Sequence, residues 1–148
     1  MKGSGVMREE TRAMILKLKA IKKNEKEKID DETKAMVRKL ASMKHKIMYL
    51  IQVYCPQGTQ FYWHNGKRNS IGICKCKYCK KYREFYDYEI AISLEYAIEH
   101  SWEEVRRFVI QEIAHSRSIG KEKEVFYDEY NRLIKIIEKP KKEKAKAA

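Results

Sequence analysis

Four cysteines, Cys55, Cys74, Cys76 and Cys79, lie close together in the middle of the chain. Three of them form Cys74-Lys-Cys76-Lys-Tyr-Cys79, which joins a C-x-C to a C-x-x-C. Thiolates at these spacings can converge on one tetrahedral ion, because a C-x-x-C turn aims both sulfurs the same way and residues two apart on a strand share a face. The chemistry expected is structural metal binding by these four thiolates, with Zn2+ as the ion. An iron–sulfur cluster takes the same ligands. Disulfides stay open for an exported or hyperthermophilic chain, and reactive cysteines come last.

A second chemistry overlaps the first. Lys67, Arg68, Lys75, Lys77, Lys80, Lys81 and Arg83 follow one another without an intervening acid, and Tyr78 and Tyr82 sit among them. Mobile cations meet phosphates and exposed rings stack on bases, so these nine residues are the candidate nucleic-acid contacts. The plainer reading makes the tyrosines neighbours of the metal and the lysines a solubilising coat.

The elements that position these groups follow from the patterning. Arg8 to Tyr49 holds no Gly or Pro, and Asp30 or Asp31 is placed to cap a second helix. A helical hairpin is expected, with Met7, Met14, Leu18 and Ile21 on one stripe and Met36, Leu40, Met43, Ile47 and Leu50 on the other. Asn65-Gly66 is a two-residue hairpin signal, predicting strands at 59–64 and 67–73. That register sets Cys55 opposite Cys76 and leaves His64 at the far tip, on the order of 30 Å away, which favours four thiolates over three and an imidazole.

Three helices are expected next. The first runs over 85–99, with Tyr86, Ile90, Leu94, Ala97 and Ile98 inward. The second starts at the capping box Ser101-Trp-Glu-Glu104 and turns Trp102, Val105, Val109 and Ile113 inward. The third carries Phe126, Tyr130, Leu133, Ile134 and Ile137. The expected class is mainly α: a helical hairpin plus a three-helix bundle with an inserted, zinc-ribbon-like, metal-binding β-hairpin. The divisions are basic helices at 1–52, the hairpin at 53–83, the bundle at 84–138 and a disordered basic tail at 139–148.

Cys55-Pro56-Gln57-Gly58, Asn65-Gly66-Lys67-Arg68 and Cys76-Lys-Tyr-Cys79-Lys-Lys-Tyr82 together resemble the zinc ribbon of insertion-sequence transposases and related DNA-binding proteins. Gly58 stands where the ribbon carries its second cysteine, so Cys74 would replace it. The resemblance covers residues 55–82 and implies nucleic-acid binding, not transposase catalysis.

Net charge points the same way. The 148 residues carry +12, of which +7 lies between residues 67 and 83, whereas 84–138 holds seven basic against thirteen acidic residues. A polyanionic partner is expected, nucleic acid first and an anionic membrane surface second, and the resemblance to DNA-binding proteins places DNA ahead of RNA. The acidic balance of 84–138 argues against a helix-turn-helix there, although Arg106, Arg107 and Arg117 form a local basic cluster. No stretch approaches the roughly 18 apolar residues of a membrane span, and the opening residues lack a signal-peptide core. A cytoplasmic protein without a membrane partner is expected. The four histidines lie singly and no P-loop, H-E-x-x-H or nucleophile elbow occurs. The function expected is therefore non-catalytic: a DNA-binding regulatory or replication accessory factor, or a subunit of a nucleoprotein complex. The alternative is a structural adaptor, using the metal hairpin and the N-terminal helices for a protein partner or a homodimer.

Overall fold

The computed structural model describes residues 8–21, 29–65 and 70–138. Helices α1 (Glu9–Ile21) and α2 (Asp31–Tyr54) open the chain. Strands β1 (Gln60–His64), β2 (Gly72–Cys79) and β3 (Glu84–Ser93) follow, and α3 (Leu94–Glu99), α4 (Trp102–Arg117) and α5 (Lys123–Glu138) complete it. No helix among the described residues is long and apolar enough to cross a membrane.

The helical expectations hold at both ends of the chain. Asp30 caps α2, its carboxylate accepting from the Thr33 N–H at 2.7 Å. Leu40, Met43, Ile47 and Leu50 are buried, as is Met14 of α1. Because α1 lies against α2 and α3, these stripes are spent inside the chain's own core. Both halves of the Ser101–Glu104 capping box form, and Val105, Val109 and Ile113 of α4 are fully buried. The three candidate arginines of α4 are engaged in ion pairs: Arg106 and Arg107 with Glu138, and Arg117 with Glu129.

The middle of the chain departs from expectation. Residues 85–93, expected as helix, belong to β3, and only Leu94–Glu99 is helical. The cause is a period of two that competes with the helical one: Ile90 and Ile92 alternate with Glu89 and Ala91 in a segment rich in Tyr and Ile. As the central strand of the order β1-β3-β2, β3 buries Ile90, Ala91 and Ile92 from both sides.

The Asn65-Gly66 hairpin does not form either. β1 runs parallel to β3 while β2 runs antiparallel to it on the other edge, so β1 and β2 are not neighbours. His64, at the end of β1, lies beside Ser93, and Gly72, at the start of β2, lies beside Ile92. This pairing sets Phe61 against Ile90 and Trp63 against Ile92, with the two rings edge to face at 5.0 Å. Burial of that cluster outweighs the local preference of an Asn-Gly turn. Among the described residues, moreover, no group of three or more His, Cys, Asp or Glu side chains is placed to hold a metal ion. The zinc-ribbon-like insertion is thus corrected to a three-stranded mixed sheet that belongs to the core, with five described helices around it.

The hairpin that does form joins β2 to β3. Its turn is Lys80–Arg83, with Arg83 in the left-handed region at φ +53°. Farther along, the pairing slips by one residue, so that Asp87 (φ +53°) and Tyr88 together face Cys76. This bulge bends the hairpin away from the flat sheet.

Alternation along β2 sends Gly72, Cys74, Cys76 and Tyr78 to the face beneath α4, and Ile73, Lys75, Lys77 and Cys79 to the opposite face. Gly72 is what lets the Glu112 side chain of α4 lie against β2. A Cβ there would lie 2.7 Å from both Cγ and Oε2 of Glu112, inside any tolerated contact. Gly72→Ala should therefore destabilise the protein by about 1–3 kcal/mol, measured by urea unfolding; unchanged stability would mean that Glu112 swings aside at no cost.

Candidate nucleic-acid interface

The structure sets Cys74 near Cys55 and Cys76 and sends Cys79 to the other face of β2. Cys55 terminates α2, its N–H bonding the Ile51 carbonyl at 2.9 Å, and its sulfur lies 3.5 Å from Ser116 Oγ of α4. Cys74 and Cys76 share the helix-covered face of β2, and Cys74 lies near enough to both Cys55 and Cys76 to interact with each electrostatically. Cys79, an odd number of positions from Cys74 along the same strand, projects from the other face at the end of β2. The expected set of Cys55, Cys74, Cys76 and Cys79 for Zn2+ or an iron–sulfur cluster is therefore not drawn around one point. Burial pushes the Cys74 thiol up to about 12, reinforced by Glu112, Cys55 and Cys76. The Cys55 thiol is also raised by burial, against the opposing pull of Ser116 and Arg117. Thiols held protonated in this way are poor nucleophiles.

The basic and aromatic residues meet a different fate. Lys67 and Arg68 lie outside the described residues. Lys75 and Lys77 are exposed on the uncovered face of the sheet, and Lys80, Lys81, Tyr82 and Arg83 make the exposed turn. Three tyrosines stand out along this hairpin: Tyr78 at 50% exposure, Tyr82 at 65% and Tyr86 at 45%. Tyr86 pairs across the strands with Lys77, and Lys81 Nζ sits 5.3 Å from the centre of the Tyr82 ring. Tyr78 is braced by the Phe85 ring at 4.8 Å. The hairpin also brings in acids that the run 67–83 lacks. Glu84, Asp87 and Glu89 come with β3, and Asp87 pairs with Lys77 at 3.5 Å. Positive charge is thereby concentrated at the turn, in Lys80, Lys81 and Arg83.

Beside the hairpin, at the edge of β2, a cleft of about 610 Å³ opens between the sheet and α4. Glu112, only 4% exposed, lines it above Gly72. Burial alone raises its carboxyl to about 7. Lys75, Tyr62, His64 and His115 border the same space. His115 is stacked on Phe126 at 4.1 Å, and burial lowers its affinity for a proton.

Glu112, Tyr62 and Tyr86 were not among the residues expected from the sequence. Glu112 had a legible signal, since it stands three residues after Val109 on the inward stripe of α4, where an apolar residue is the rule. Tyr86 was concealed by the helical reading of 85–99. No family model, no curated protein and no solved structure matches this chain.

Proposed function

We propose that this chain is a non-catalytic nucleic-acid-binding protein that holds single strands on the β2–β3 hairpin. The observation that carries the reading is the pairing of exposed rings with exposed cations on one braced element. Tyr86 stands beside Lys77 on the uncovered face, Tyr82 lies in the turn with Lys80, Lys81 and Arg83, and Tyr78 is exposed on the other face of the same hairpin. Exposing three large rings to water is unfavourable unless something covers them. Unpaired bases are the natural cover, because every base offers a π face and every nucleotide a phosphate to the adjoining cations. A duplex keeps its bases stacked and would leave the tyrosines unused, so single strands fit better than double helix.

Rings and cations should separate in a binding experiment. Tyr82→Ala should weaken binding of a thymidine decamer by about tenfold while leaving its salt dependence unchanged. Lys80→Gln should instead flatten the slope of log affinity against log salt by about 0.7. If neither variant changes decamer binding, the hairpin is not the contact surface.

A further inference from the structure

The cleft beside β2 is built around the carboxyl group of Glu112. Glu112 makes no hydrogen bond or ion pair with another described residue, although its side chain is almost wholly withdrawn from water. Such a group costs stability, and β2 carries a glycine at the one position that admits it. Its oxygens border a space of about 610 Å³, within the range that holds a nucleotide-sized ligand. The lining of that space includes Lys75, which belongs to the cationic run of the hairpin, and Tyr62, whose side chain is partly exposed. A strand lying on the β2–β3 hairpin would reach the cleft by passing over the edge of β2, the outer strand of the described sheet.

We propose that the cleft receives one guanine base of the bound strand, with the two Glu112 oxygens accepting from its N1–H and N2–H groups. This rests on the single-strand reading above. The chemistry selects the base. A carboxylate only accepts hydrogen bonds, and it is satisfied best by two donors side by side. Guanine presents such a pair on its Watson–Crick edge, whereas adenine and cytosine offer a donor beside an acceptor, and thymine a single donor between two acceptors. Single-stranded recognition commonly reads a splayed base along that edge while an aromatic ring covers its face. Here Tyr62 supplies the ring and Lys75 the cation for the adjoining phosphate.

The test uses thymidine decamers with one central dG or one central dA, bound to the full chain at pH 8 and followed by fluorescence anisotropy. The dG strand should bind about tenfold more tightly than the dA strand, and Glu112→Gln should erase that difference while still binding both. Equal affinity of the unaltered protein for the two strands would overturn the guanine site and leave the hairpin reading standing. A preference that survives in Glu112→Gln would also overturn it, by placing the recognition elsewhere. If neither strand binds, the single-strand reading itself fails and the guanine site falls with it.

Discussion

Replacing Lys77, Lys80 and Lys81 together by glutamate should abolish single-strand binding while the protein stays folded. Each substitution removes a cation that the proposed contact sets against a phosphate and installs a repelling charge. The combined loss is expected to be on the order of 100-fold or more at physiological salt. The fold should not notice. All three side chains are exposed, and the Lys77–Asp87 pair is a surface contact with more than half of each side chain in water, a kind that contributes little. Unfolding by urea should therefore shift by no more than about 0.5 kcal/mol. Wild-type affinity in the triple variant would remove the hairpin from the account, and a collapse of stability would show that the turn is structural.

The second large effect concerns Glu112 and runs opposite to most core substitutions. Its carboxyl is raised from 4.5 to about 7 by burial, so the folded state holds the proton more tightly than the unfolded chain. The stability linked to this proton is fully present below about pH 4.5 and is lost as pH rises through about 7. Above that, folding bears a cost of about 3 kcal/mol. Glu112→Gln keeps the shape and cannot ionise. At pH 8 it should be more stable than the unaltered protein by up to about 3 kcal/mol, and at pH 5 the gap should shrink to about 1 kcal/mol or less. His64, His115, Lys75, Tyr62 and Cys74 border the same cleft and are present in both proteins, so the difference isolates Glu112. Urea unfolding at half-unit steps from pH 5 to 8 measures it; parallel curves would mean that the carboxyl is solvated or paired.

The ends of the fold were legible in the sequence because local signals and burial agree there. Asp30 and the Ser101–Glu104 box start helices wherever they occur, and the stripe from Leu40 to Leu50 has one helical reading. The centre was not legible, because two local signals pointed away from the long-range solution. Asn65-Gly66 favours a tight turn, yet pairing β1 with β3 buries Phe61 and Trp63 against Ile90 and Ile92. Strand partners are chosen by such distant contacts, and spacing along the chain does not encode them. The same misassignment governed the cysteines. Opposing Cys55 to Cys76 depended on the hairpin that does not form, whereas the parity separating Cys79 from Cys74 and Cys76 follows from the strand itself. Lys75, Lys77, Tyr78 and the turn from Lys80 to Arg83 lie on the β2–β3 hairpin, not on the one expected around Asn65-Gly66. What escaped was β3 as the partner strand, and with it Tyr86 and the three acids.

The most direct measurement is the affinity of the full chain for a thymidine decamer across a salt series. The account expects binding at physiological salt, with a slope of log affinity against log salt of about −3, as four or five hairpin cations displace counterions from a single strand. Absence of binding at physiological salt, or a slope near zero, would contradict it.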